Sequence, residues 1–248
     1  MEKRSLETVE KNLEDIIQRV KAAAEASGRS YDDVKILAAT KTVDPDTINF
    51  VISKGVKYIG ENRVQELLEK YDSINKDDVE IHFIGRLQTN KVKYIIDKVS
   101  LIHSVDSFKL AKEIDRQAAK HGKVMDILVE VNAGDEESKG GVSAEDTLEL
   151  VKEISRLPNV CIKGLMTIPP KCMESSNINE ECGRSKKIYK NKEFFDKILK
   201  LFLDISSKKL DNIYMYELSA GMSDDYETAV ECGSTVIRLG RALFGERG

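Results

Sequence analysis

The chain has 248 residues, 41% hydrophobic and 33% charged, with a formal net charge of -4, which suits a soluble globular fold of one large α/β domain or two small ones. Lys+Arg 39 against Asp+Glu 43 leaves no basic stripe for nucleic acid, and no apolar run reaches the length of a membrane span. The opening residues lead into a charged amphipathic segment rather than a signal-peptide core, and the scattered Cys161, Cys172, Cys182 and Cys232 read as reduced thiols of a cytoplasmic protein.

From about residue 5 to 26, apolar side chains recur at helical spacing (Leu6, Val9, Leu13, Ile16, Ile17, Val20) and stop at Ser27-Gly28, a helix C-terminal signal. Short β-like runs follow at about 34–40, 56–59, 80–84, 101–103, 124–131, 160–165, 213–218 and 235–239. Helical segments alternate with them at about 45–54, 63–71, 91–97, 107–120, 144–156, 192–205, 224–231 and 241–244. Runs such as Ile127-Leu128-Val129 are apolar on both faces, as strands of a helix-covered parallel sheet are. The alternation predicts a single (β/α)₈ barrel over residues 1–248, preceded by an N-terminal helix. A doubly wound open sheet is the second choice, without the G-x-G-x-x-G fingerprint after its first strand. The polar stretch at about 169–190 reads as a mobile insertion after strand six.

In such barrels chemistry gathers where strands end. Strand one runs apolar from Ile36 and ends in Lys41. A lysine there marks the exit to solvent, pairs with a carboxylate, or is a desolvated amine able to attack a carbonyl. Strand two ends in Gly60-Glu61-Asn62-Arg63, where Asn62 and Gln65 also have capping-box spacing. His82, inside strand three, reads as a core histidine, while Ser104 or Asp106 could cap the helix after strand four. No His/Cys/Asp/Glu spacing here resembles a metal site. Strand seven finishes Leu218-Ser219-Ala220-Gly221-Met222-Ser223, and strand eight Arg238-Leu239-Gly240-Arg241. Gly240 at a strand-to-helix junction lets an anion approach the first helix amides, and Ser219 adds a hydroxyl. These pieces ask for a ligand with a phosphate at one end and a carbonyl within reach of Lys41. Pyridoxal 5′-phosphate (PLP) fits, and so does a sugar-phosphate aldol substrate. Arg238, which can only donate hydrogen bonds, suits a pyridine nitrogen.

The chain resembles the YggS/PROSC family of pyridoxal phosphate homeostasis proteins, which are related to the barrel domain of alanine racemase. The resemblance rests on Leu37-Ala38-Ala39-Thr40-Lys41-Thr42, Ile59-Gly60-Glu61-Asn62 with Val64-Gln65-Glu66, His82-Phe83-Ile84-Gly85 with Leu87-Gln88-Thr89-Asn90-Lys91, and His103-Ser104-Val105-Asp106. It continues through Asp135-Glu136-Glu137-Ser138-Lys139, Gly164-Leu165-Met166-Thr167-Ile168, Leu218-Ser219 with Gly221-Met222-Ser223-Asp224-Asp225, and Arg238 with Gly240 and Phe244-Gly245. It implies a fold-type III PLP barrel in which Lys41 holds the cofactor as a Schiff base. Ser219, Gly240 and Arg241 would bind phosphate, the last two through backbone N–H. Arg238 would face the pyridine nitrogen, while Asn62 and Met166 would line the ring.

The resemblance further implies a role in PLP and amino-acid homeostasis, as a carrier or buffer with apo PLP-dependent enzymes as candidate recipients, and a barrel that seals its own ring suits a monomer. The barrel uses up the chain, leaving no second domain to bring the opposing tyrosine with which alanine racemase completes its site. An arginine at the pyridine nitrogen also weakens the ring as an electron sink. The competing reading is a PLP-dependent amino-acid racemase or lyase of low activity, or a Schiff-base aldolase.

Overall fold

The computed structural model describes residues 5–134, 140–169 and 180–246, for 180–190 the backbone alone. Eight parallel strands form the sheet: β1 (Lys35–Ala39), β2 (Tyr58–Glu61), β3 (Glu80–Phe83), β4 (Leu101–Val105), β5 (Met125–Asn132), β6 (Val160–Thr167), β7 (Ile213–Ser219) and β8 (Val236–Leu239). They pair in the order β4-β3-β2-β1-β8-β7-β6-β5, and β5 pairs back onto β4, closing the barrel. A two-residue strand, Val142–Ser143, lies beside β5. That closure rules out the open sheet.

The helices are α1 (Leu6–Ala26), α2 (Pro45–Ser53), α3 (Val64–Lys70), α4 (Phe108–Lys120), α5 (Thr147–Ile154), α6 (Glu180–Ser206), α7 (Tyr226–Glu231) and α8 (Arg241–Phe244). Their starts follow from local chemistry. Asp44 caps α2 by accepting from the Thr47 amide at 3.0 Å, with Pro45 at the first helical position, and Ser107 caps α4. The four residues of α8 are too few to cover the outside of β8. The apolar stripe of α1 (Val9, Leu13, Ile16, Val20, Ala23, Ala24) takes its place, packed on α7 and α8, and Asn12 Nδ2 donates to Leu243 O at 3.1 Å.

Two predicted elements differ. Between β3 and β4 the chain forms a 3-10 helix at Thr89–Tyr94 instead of an α-helix. The buried Val92, Ile95, Ile96 and Val99 have helical spacing, but Gln88 supplies no side-chain cap, and the short crossover closes in tighter turns. After β6, α6 begins at Glu180, ahead of the expected 192, so the second half of the presumed insertion is helix. Its Glu- and Lys-rich sequence is as compatible with a helix as with a polar loop. Residues 170–179, the rest of that expectation, lie outside the described residues, as do the Cys172 thiol and the side chain of Cys182. Among the described residues no helix is long and apolar enough to cross a membrane.

Strand alternation decides what reaches the barrel interior. Ile36, Ala38, Ile59 and Ile237 face the helices in the main core. Leu37, Ala39, Ile84 and Val236 form one inner cluster, and Leu101, Leu128 and Met166 another. The same parity turns His82, His103, Ser219 and Arg238 inward, all of them buried. Lys41, two residues beyond Ala39, stands on the inner side at the C-terminal mouth.

Candidate functional site

The mouth holds a cavity of about 490 Å³ whose wall includes Lys41, Asn62, Arg238, Gly240 and Arg241. Five of the seven residues singled out from the sequence therefore meet in one place. Lys41 is partly buried, with Ala39, Val43 and Ile84 on the same wall.

The backbone on both sides of Lys41 is clamped from behind. Lys70 Nζ on α3 donates to Thr40 O at 2.9 Å, to Glu61 Oε1 at 3.2 Å and to Glu66 Oε1 at 2.6 Å. Glu61 also accepts from Thr40 Oγ1 at 2.6 Å, and Glu66 Oε1 accepts from the Thr42 amide. Thr42 sits at φ 60, a conformation that costs a β-branched residue energy and that these bonds hold in place. The Glu61 side chain has no solvent exposure, and burial holds its carboxyl above the usual range while Thr40 and Lys70 oppose that.

Arg238 is buried at the cavity floor. Its Nη1 donates to Ser219 Oγ at 2.7 Å and its Nη2 to Thr167 O at 2.8 Å. Burial lowers its pKa to about 10, with Asp225 and Glu130 working the other way, so it stays a cation at neutral pH. A cation with its planar fork fixed in this way presents hydrogen-bond donors and no acceptor to the cavity.

Two expected residues are not on the wall. Ser219 is fully buried, and its hydroxyl is engaged by Arg238 and, at 3.0 Å, by His103 Nδ1. Its hydroxyl supports Arg238. Met166 packs with Leu101 and Leu128 inside the barrel, one step below the mouth, and the next inward residue, Ile168, reaches the wall. The sequence shows which way a side chain points but not how deep its strand sits.

The serine that does line the cavity is Ser223, whose Oγ accepts from the Ala242 amide at 3.0 Å. Its signal, a second serine four residues after Ser219, was present in the sequence. The Arg241 side chain is engaged by Asp224 and by Glu246 at 3.3 Å, which leaves its backbone amide, with that of Gly240, at the start of α8 on the wall.

The Asn62–Gln65 capping box does not form. Arg63 is the N-cap position of α3 without a side-chain bond, and Gln65 reaches Glu69. Asn62 Oδ1 is instead buried with no hydrogen-bond partner among the described residues. A Cβ on Gly85 would come within 2.0 Å of Asn62 O, so the loop after β3 can hold Asn62 this closely only with glycine. The expected helix cap after β4 is Ser107 rather than Ser104 or Asp106, and Ser104 Oγ is buried without a partner among the described residues. The motif 135–139 lies outside the described residues.

Comparison with known proteins agrees with this fold. The family model of the alanine racemase N-terminal domain matches residues 11–248. An alanine racemase structure from Clostridium difficile has the same fold, with a TM-score of 0.71 at 17% identity, and this chain covers 61% of it. Parallel barrels of this class place their sites at the mouth described above. Among curated proteins, a pyridoxal phosphate homeostasis protein of Aquifex aeolicus is 44% identical over 235 residues, 95% of this chain and 96% of that one. The corresponding protein of Haemophilus influenzae is 34% identical over 241 residues, 96% of each chain. PipY of Synechococcus elongatus, in a structure with PLP bound, superposes with a TM-score of 0.73 at 29% identity, over 86% of this chain and 93% of that one. The chain belongs to the pyridoxal phosphate homeostasis protein family.

Proposed function

We propose that the chain binds PLP at the barrel mouth and serves as an intracellular carrier or buffer of that cofactor. The observation that carries this is the convergence of Lys41, Asn62, Arg238 and the Gly240–Arg241 amides on one cavity. The residues present fit the cofactor. Asn62 Oδ1 is a buried acceptor awaiting a donor, and Arg238 offers donors to a ring nitrogen. Ser223 and the start of α8 suit a phosphate. PLP, when bound, supplies an aldehyde and an electron-accepting ring. Lys41 holds it covalently through its amine, and Arg238 keeps the ring nitrogen unprotonated. Borohydride reduction of the yellow protein should fix the cofactor's mass on the peptide containing Lys41, and Lys41→Ala should be colourless and unlabelled. A wild-type protein that cannot be loaded overturns the proposal.

The carrier reading over an enzymatic one is supported by the wall itself, whose carboxylates among the described residues, Asp224 and Glu246, are both engaged by Arg241, and which contains no tyrosine, histidine or cysteine there. Racemisation needs a proton removed on one face and returned on the other, and losing one positioned acid or base typically costs about 10²–10⁴-fold in rate. The alanine racemase fold favours a second reading, weak racemase or lyase activity through Lys41 alone. Loaded protein incubated with amino acids in D₂O should show at most slow Cα exchange without inversion, while reactivating an apo-transaminase. Brisk racemisation would restore the enzyme.

A further inference from the structure

The barrel interior contains a continuous chain of hydrogen bonds that runs from the cavity to the opposite end. Arg238 Nη1 meets Ser219 Oγ at 2.7 Å, Ser219 Oγ meets His103 Nδ1 at 3.0 Å, His103 Nε2 meets His82 Nδ1 at 3.0 Å, and His82 Nε2 meets Glu80 Oε2 at 3.4 Å. His82, His103, Ser219 and Arg238 are all buried, whereas the Glu80 side chain is 53% exposed at the N-terminal end of β3. These positions in a barrel are ordinarily filled by branched apolar side chains, and a buried polar chain is stabilising only when each member is satisfied.

One arrangement satisfies all of them. Arginine can only donate, so Ser219 Oγ accepts from Arg238 and its own hydrogen goes to His103 Nδ1. His103 then carries its proton on Nε2 and donates to His82 Nδ1. His82 carries its proton on Nε2 and donates to Glu80. Burial first, with the Arg238 and Lys35 cations nearby, keeps His103 well below its ordinary pKa, so its ring is neutral. The reverse polarity fails, because Ser219 would accept from both Arg238 and His103 and its hydroxyl hydrogen would lose this partner. Other charged or titratable groups near the chain are Lys35 on β1, paired with Glu217 on β7, Tyr58 on β2 with its ring 5.7 Å from that of His82, and Asp126 and Glu130 on β5.

We propose that His82 and His103 are positioning residues for Arg238, acting through Ser219, and that the carboxylate of Glu80 fixes their tautomers from the far end of the barrel. This rests on the reading of Arg238 as the partner of the pyridine nitrogen. Its role is to hold the guanidinium fork toward that nitrogen and to keep the serine oxygen an acceptor of it.

The test compares affinities for PLP and for the analogue in which a C–H replaces the ring nitrogen, at neutral pH. The wild type should prefer PLP. His103→Leu should lose about ten-fold or more of that preference, the scale of one hydrogen bond to a charged group, with the analogue's affinity nearly unchanged. Glu80→Gln, a half-exposed change that keeps a neutral acceptor, should lose part of the preference in the same direction. A general loss of packing would weaken both ligands alike, so an unchanged preference in folded His103→Leu overturns the proposal. If that variant does not fold, an unchanged preference in Glu80→Gln overturns it. A wild type that does not bind PLP at all defeats the functional reading instead, which keeps the two failures distinct.

Discussion

Lys70→Met should lower folding stability by about 3–5 kcal/mol, the cost of removing one partner of a buried ion pair. Lys70 is far from a surface lysine, its side chain being 11% exposed, and it reaches three oxygens behind the mouth. Methionine keeps much of the stem's volume but leaves the Glu61 carboxylate buried without a cation. The pH dependence gives the mechanism away. Burial already raises the Glu61 pKa and Lys70 opposes that rise, so the variant's folded-state value climbs further above the ordinary 4.5. A carboxyl whose folded pKa is raised favours folding most below its unfolded pKa and loses that contribution as pH rises through the folded value. The deficit should therefore be widest near neutrality and shrink as pH falls toward about 4.5. Urea titrations of both proteins across that range read it directly. A deficit under about 1 kcal/mol at neutral pH would reduce Lys70 to the rank of a surface ion pair. Because the clamp holds Thr40 and Thr42 on either side of Lys41, the variant should also retain PLP less well.

Gly240→Val should weaken PLP binding by about 10²-fold or more, two charge-assisted hydrogen bonds' worth, with little change in melting temperature. The two halves of that expectation come from different observations. A Cβ at Gly240 would meet Ala39 atoms at 3.6 and 3.7 Å, ordinary contacts, and its φ of -108 does not require glycine. The fold tolerates the side chain, whereas an anion approaching the amides at the start of α8 does not. Pyridoxal without its phosphate should bind both proteins alike, and an equal loss for the two ligands would place the phosphate elsewhere. Ser223→Ala should likewise discriminate between the ligands, by roughly ten-fold. Ser219→Ala separates two roles: a loss for both ligands marks support of Arg238, and a loss for PLP alone marks a phosphate contact.

Much of this site could be read in the sequence because the β/α alternation orders the strand ends. Lys41 follows an apolar run and so stands at a strand exit, and Gly240 sits where a strand turns into a helix. Arg238 at an inward position of a buried strand has no bland role. What stayed hidden was depth and partnership. Ser219 and Met166 share the inward parity of the wall residues but lie a step below it, and strand stagger is not written in residue types. The clamp joins Glu61 to Lys70 across a strand-helix junction, and only its Glu66–Lys70 half has a spacing that a sequence displays. His82 is the core histidine its position suggested, yet its partner His103 is 21 residues away on the neighbouring strand.

The seating of α1 also bears on how the chain is made. Its apolar stripe leaves the ribosome well before its partners, and Asn12 finds the carbonyl of Leu243 across a separation of 231 residues. At about 5–20 residues per second, translation takes roughly 10–50 s to supply that partner. Throughout that interval Val9, Leu13, Ile16 and Val20 lack their α8 partner, and until β8 is made β1 and β7 are left as unpaired strand edges. The β8–α8 segment thus acts as the latch of the barrel.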